Sequence, residues 1–168
     1  MRPKPPRSQA FERWVKFDQE RSRSPRCRAW RVPPRLSNPR HSMTQHTILI
    51  ADDSSSVRSI LKVYLNPLRA EVLEADTGER ALRLAKLMPL SLMIADINMP
   101  GMDGLTLVEQ VRRDTRPSVA GVPVILLTSD KSAAAQARMR EVGADELLYK
   151  PISADALVAI ATRYLNKA

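Results

Sequence analysis

The chain has a single cysteine, Cys27, and one thiol can close neither an internal disulfide nor a zinc site. The fold therefore does not depend on an oxidising compartment. Long apolar runs are missing too: none approaches the ~18 residues that a membrane-spanning helix needs. Residues 1–45 lack the apolar core of a secretory signal, and they contain no glycine. These absences predict a soluble, cytoplasmic protein without a membrane partner.

Acidic residues are scarce in one place only. Residues 1–45 hold 12 Lys+Arg against 3 Asp+Glu, whereas residues 46–168 hold 15 of each. The whole net charge of +9 therefore sits in the first quarter of the chain. That quarter also carries 7 of the 13 prolines, at positions 3, 5, 6, 25, 33, 34 and 39. Proline excludes a long helix or central strand there, apart from a short turn from Gln9 to Glu20. High charge with few apolar residues cannot offset ordering entropy, so residues 1–45 are expected to be a disordered basic extension. Three readings stay open for it: a nucleic-acid arm with Trp14 and Trp30 for stacking, an Arg-rich targeting segment, or an artefact of start-site choice, since Met43 precedes the first strand. Nucleic acid is the less expected partner.

From residue 46 the texture changes. Thr47 to Ala51 is a short apolar run ending in Asp52-Asp53. Ser54-Ser55-Ser56 can cap a helix whose inward positions are Val57, Ile60, Leu61 and Leu65, ended by Pro67. Ala70 to Ala75 reads as a second strand. Asp76-Thr77 is then a cap, with Glu79 completing a capping box before the face Ala81, Leu82, Leu84, Ala85 and Met88. Ser91 to Ala95 is a third strand, followed by Asp96 and a Pro100-Gly101 turn. The third helix spans Asp103 to Arg113, with Leu105, Leu107, Val108 and Val111 inward, and Arg116 to Gly121 is loop. Val122 to Leu127 is the fourth strand, and an alanine-rich helix runs to Val142 with Gly143 as its C′ residue. Glu146 to Tyr149 is the fifth strand. Ser153 caps a last helix with Ala156, Leu157, Ile160, Ala161 and Leu165 inward.

Five strands alternating with five helices, most strands continuously apolar, predict an α/β domain over residues 46–168. The expected form is a doubly wound, five-stranded parallel sheet in the flavodoxin-like order 2-1-3-4-5. In such sheets ligand groups gather at the C-terminal strand ends. Those ends hold Asp52 and Asp53, Asp96, Thr128 and Lys150. Singly, each has an ordinary explanation as a cap, a turn residue or a solvated end. Together they place three carboxylates, a hydroxyl and an ammonium on one pocket. Clustered carboxylates repel, and one lysine leaves the group net negative. An all-oxygen set with no His or Cys suits Mg²⁺ rather than zinc. A cation, an ammonium and a hydroxyl around one carboxylate suit a phosphoryl group, with Asp96 as nucleophile.

The motifs ILIADDSSSVR, MIADINMPGMDG, VILLTSD and LLYKPIS resemble those of the receiver domain of two-component response regulators, over about residues 46–168. The resemblance implies a phosphoprotein acting in phosphorelay signal transduction and fed by a sensor histidine kinase or phosphotransfer protein. It implies Asp96 as phosphoacceptor, with Asp53 and Asp96 as direct Mg²⁺ ligands. Asp52 would act mainly through water, and Asn98 through its backbone carbonyl. It also implies Thr128 as the switch hydroxyl, Lys150 on the phosphoryl oxygens, and a cis bond between Lys150 and Pro151. Asn98 and Asp130 would tune the lifetime of the phosphoryl group. Leu147 departs from the family, which usually carries Tyr or Phe three residues before the lysine. Tyr149 would share the face of Leu147, at a different level.

No output domain is expected after the receiver, so signalling would pass by phosphorylation-switched binding of a downstream protein at the fourth helix, fifth strand and fifth helix. Leu148, Ala133 to Ala137 and Arg138 are candidates there. A turnover enzyme is not expected. The alternative, a Mg²⁺-dependent phosphatase of the haloacid dehalogenase type, needs a D-x-D pair after the first strand. The chain has Asp52-Asp53-Ser54.

Overall fold

The computed structural model describes residues 46–167. The expectations for residues 1–45, Cys27 and the Gln9–Glu20 turn among them, lie outside the described residues. Strands β1 (Thr47–Ala51), β2 (Glu71–Ala75), β3 (Leu92–Asp96), β4 (Val124–Thr128) and β5 (Glu146–Tyr149) alternate with helices α1 (Ser55–Leu65), α2 (Gly78–Leu87), α3 (Gly104–Arg112), α4 (Ala133–Glu141) and α5 (Ala154–Leu165). All pairings are parallel, and the strand order is β2-β1-β3-β4-β5, the doubly wound arrangement expected.

The sheet is buried on both faces because alternate strand residues feed two apolar layers. Leu49, Met93, Val124 and Leu126 pack with Ala81 and Ala85 of α2 and Leu105, Leu107, Val108 and Val111 of α3. Ile48, Ile50, Ile94, Ile125 and Leu127 pack with Leu61 and Leu65 of α1 and Leu157, Ala161 and Leu165 of α5. Each fully buried Leu or Ile contributes about 1.5–3 kcal/mol relative to an exposed one. That fixes the three central strands, and with them the positions of the residues that end them.

Boundaries shift where local chemistry competes. β2 starts at Glu71, one residue after Ala70, and β4 at Val124, because Pro123 has no N–H to give the ladder. β3 begins one residue after Ser91 and includes Asp96, whose register partner is Leu127. Residues Pro117–Ala120 form a helical turn rather than plain loop, with proline suited to its first position. Asp103 caps α3, accepting the Thr106 N–H, so the helix proper begins at Gly104 and ends at Arg112. α4 ends at Glu141, with Val142 as its cap and Gly143 at φ +79°.

Three inward assignments are corrected. Ile60 is 49% exposed and Met88 39%, and Ala156 is also exposed. α1 and α5 bury narrower stripes than their apolar sequences allow, so an apolar residue at the margin is left in water. The capping box at α2 is also corrected. Thr77 is the N-cap, accepting the Arg80 N–H, while the Glu79 carboxylate accepts the N–H of Met102, 23 residues away, at 2.9 Å. Tertiary closure of the β3–α3 loop has taken the side chain that a local cap would use.

Candidate functional site

β1 delivers Asp52 and Asp53 to the C-terminal edge. Asp52 is completely buried. Its Oδ1 accepts the Ser54 N–H at 2.9 Å, an Asx-type turn that starts α1, and Ser54 then accepts the Val57 N–H as N-cap. Arg58 Nη1 donates to the Asp52 carbonyl at 2.7 Å, and its Nε donates to Glu74 on β2 at 3.1 Å. Asp53 is exposed.

Asp96 ends β3 and is 4% exposed. The loop after it folds back tightly: the Gly104 N–H donates to the Ile97 carbonyl at 3.0 Å. A Cβ on Gly104 would lie 2.3 Å from the Asp96 carbonyl oxygen, so only glycine lets α3 start so close to the strand. The site therefore needs the glycine of the GMDG segment as much as its acids.

Lys150 follows β5. Its Nζ lies 3.0 Å from Asp96 Oδ2 and 3.1 Å from Asp52 Oδ2. Burial works against the lysine charge, but the bonds to Asp96 and Asp52 outweigh it and hold Lys150 above the ordinary lysine value. Burial pushes the Asp96 carboxyl up, against the opposing pull of Lys150, and the neighbouring Asp52 charge adds to the rise. The bond from Lys150 to Pro151 is cis.

Carboxylate oxygens of Asp52, Asp53 and Asp96 lie within 4.8 Å of one another. Asp96 Oδ1 is buried without a hydrogen-bond partner. A buried carboxylate oxygen left unpaired is costly, and beside two more acids it fits a hard cation with oxygen ligands. The donor set present therefore suits Mg²⁺.

Thr128 ends β4 and is 1% exposed. Its Oγ1 accepts the Asp130 N–H at 3.0 Å. The Asp130 carboxylate accepts the N–H and the hydroxyl of Ser132, at 2.8 and 3.1 Å, so it caps the approach to α4. Asn98 is exposed in the loop after Asp96. Leu147 packs on the α2–α3 layer. Tyr149 reaches α4 on that side, its hydroxyl bound by Gln136 Nε2 at 2.7 Å, so Tyr149 and Leu147 share a face as alternation requires. Leu148, a candidate for partner contact, is half-buried and packs against the α1–α5 layer.

The structure thus brings Asp52, Asp53, Asp96 and Lys150 together, with Thr128 on the strand beside Asp96. Sequence reasoning missed Arg58 and Glu79. Each acts on a segment distant in sequence or through a backbone group, and neither its type nor its spacing signals that partner.

The family model described as the response regulator receiver domain matches residues 48–162. The "Probable transcriptional regulator ycf27" of Guillardia theta is 34% identical over 128 residues, covering 74% of this chain and 48% of that protein. The sensor protein EvgS of Escherichia coli is 35% identical over 111 residues, 66% of this chain and 9% of that protein. The chain spans about half the length of the regulators it matches. The chemotaxis response regulator CheY4 of Vibrio cholerae superposes with a TM-score of 0.66 at 31% identity, covering 73% of this chain and all of that one. Among the described residues no helix is long and apolar enough to cross a membrane. With its fold, its strand-end acids and a match over most of the folded residues in agreement, the chain belongs to the response regulator receiver domain family of two-component systems.

Proposed function

We propose that this protein is a phosphorylation-switched signalling module in which Asp96 accepts a phosphoryl group from a phosphohistidine and later loses it to water. The observation that carries the reading is the paired state of the two Asp96 oxygens. Oδ2 is held by Lys150 and Oδ1 has no partner, so the ammonium orients the carboxylate and leaves it with unused acceptor capacity.

In the transfer, an Asp96 oxygen attacks phosphorus, the new P–O bond forms as the P–N bond breaks, and the imidazole leaves. Lys150 stays charged and counters the negative charge on the transferring oxygens. Thr128, one strand over, donates its hydroxyl to one of them. Asp52, Asp53, Asp96 and the Asn98 carbonyl would hold Mg²⁺, which when bound supplies the remaining positive charge. Hydrolysis of the acyl phosphate restores the carboxylate, and Asn98 and Asp130 at the rim set how readily water enters.

The donor is a sensor histidine kinase or phosphotransfer protein. An apolar groove of about 250 Å³ lined by Val57, Ile60, Leu61, Tyr64 and Ile152 ends at Lys150. It supports the approach of an apolar helical face that carries the histidine. The output is binding of a downstream protein. A phosphatase of the haloacid dehalogenase type loses ground because Ser54, at the place of its second acid, is occupied as the α1 N-cap.

Labelling with acetyl phosphate tests the reading. Base-labile phosphate should be incorporated by the wild type with Mg²⁺, and not by Asp96→Asn or without Mg²⁺. A folded wild type that takes no label would overturn the proposal.

A further inference from the structure

The loop from Ile97 to Asp103 joins Asp96 to α3. Its ends are tied to the sheet and to the helix. The Ile97 N–H donates to the Leu127 carbonyl, and the Ile97 carbonyl accepts the N–H groups of Met99 and Gly104. Asp103 caps α3, and Met99 is buried in the apolar layer beneath. The outer part, Pro100 to Met102, is tied differently. Among the described residues, its only hydrogen bond runs from the Met102 N–H to the Glu79 carboxylate, at 2.9 Å.

Glu79 lies in the first turn of α2, and the seat between that turn and the loop is built from both sides. A Cβ on Gly78 would lie 2.3 Å from the Met102 carbonyl oxygen. A Cβ on Gly101, at φ +77°, would lie 2.8 Å from Glu79 Oε1. The loop backbone therefore sits directly on the start of α2, and a carboxylate takes its Met102 N–H. An ionised acceptor makes that bond stronger than one between neutral groups.

We propose that Glu79 is a positioning residue for the acidic site, clamping the loop through Met102 so that the Asn98 backbone stays beside Asp96. The proposal rests on the reading of Asp96 and the Asn98 carbonyl as Mg²⁺ ligands. Asn98 lies between Asp96 and Met102 in the chain, and its backbone already acts on the carboxylate. Burial pushes the Asp96 carboxyl up, and the Asn98 N–H is among the groups that oppose it. A loop released at its tip regains backbone freedom, and the peptide that carries the Asn98 carbonyl turns with it. Mg²⁺ demands near-ideal octahedral placement of its oxygens. Its affinity therefore falls with the fraction of molecules whose loop is closed. The clamp works through the loop, by way of an N–H that is itself no ligand.

Calorimetric titration of the full chain with Mg²⁺ tests it. Glu79→Ala should bind Mg²⁺ about fivefold more weakly than the wild type, the factor set by one net hydrogen bond. Glu79→Gln keeps an oxygen acceptor for the Met102 N–H and loses only the charge, so it should match the wild type. An unchanged affinity in Glu79→Ala overturns the clamp. A Glu79→Gln as weak as Glu79→Ala overturns it too, because the effect would then be one of charge. Arg112→Ala, at the far end of α3, separates positioning from stability. It should lose stability and keep the wild-type affinity, and a loss of affinity equal to that of Glu79→Ala counts against the clamp. Exchange of the Met102 amide gives a second readout. By reciprocity, Mg²⁺ should slow it in the wild type, and no slowing overturns the proposal. Wild type and variants that bind Mg²⁺ alike sink the clamp alone, whereas a folded wild type that binds none sinks the metal-site reading beneath it.

Discussion

Lys150 Nζ sits between two buried carboxylates, 3.0 Å from Asp96 Oδ2 and 3.1 Å from Asp52 Oδ2. The three residues come from β5, β3 and β1, so one ammonium ties the C-terminal ends of three strands. Replacing it by a shape-mimic removes the one cation paired with either carboxylate among the described residues, while leaving both acids buried. Lys150→Met should therefore cost about 2 kcal/mol at pH 7, reduced from the fully buried case because the lysine is partly exposed. Urea denaturation at pH 7 and pH 4 checks this. The loss should shrink at the lower pH, where Asp96, whose carboxyl burial pushes up, can protonate.

Asp96 behaves in the opposite sense. Burial raises its folded pKa above the unfolded value, so the folded state holds the proton more tightly. The stability this gives is complete below the unfolded pKa and is lost as pH rises through the folded one. Ionised Asp96 is therefore a burden at neutral pH without a cation. Asp96→Asn should stabilise the metal-free protein at pH 7 by about 1 kcal/mol. The gain should fade as pH drops through the carboxylate range, where the wild type becomes neutral too. Thermal melts in chelator across pH 4–7 would read it. A variant less stable at pH 7 counts against the acidic site.

Gly104 makes a third prediction. An added methyl would meet the Asp96 carbonyl at 2.3 Å and Ile97 Cα at 2.9 Å, both backbone and unable to move aside. Gly104→Ala should cost at least about 2 kcal/mol despite the higher helix propensity of alanine, and it should weaken Mg²⁺ binding by displacing Asp96. Calorimetric Mg²⁺ titration of whatever fraction folds would show the second effect.

Arg112 closes the opposite end of the sheet. Its guanidinium donates to the carbonyls of Gly143, Ala120 and Val122 and to the Asp145 carboxylate, all at 2.7–2.8 Å. Arg112→Ala should destabilise by about 2–3 kcal/mol, and Arg112→Lys should recover little, since an ammonium cannot span four acceptors. Acetyl phosphate labelling of the folded variant should be unchanged, because Arg112 touches nothing at Asp96.

The fold was legible because period and punctuation are local. Apolar runs of four to six residues ending in Asp52, Asp96, Thr128 and Lys150 marked both the strands and the edge where the site lies, while right-handed crossovers narrowed the strand order to a few choices without fixing it. The acids, the hydroxyl and the lysine could be read as one constellation because doubly wound topology sends successive strand ends to the same edge. Residue type at those positions then pointed to the proposed chemistry.

The tertiary structure decided what depends on partners far apart in the chain. Ile60 and Ala156 fit the apolar face of a helix by spacing, yet only the packing of α1 and α5 settles which part of each stripe meets the sheet. Glu79 has the local pattern of a cap, but the β3–α3 loop arrives to take its carboxylate. Arg58 is an ordinary helix residue until β2 places Glu74 beside it. Tyr149 is one aromatic in a short strand until α4 brings Gln136 to its hydroxyl. Periodicity and strand ends are properties of a segment, and the sequence determines them directly. Hydrogen-bond partners and exposure depend on which segments meet, and they exist only once the chain has closed.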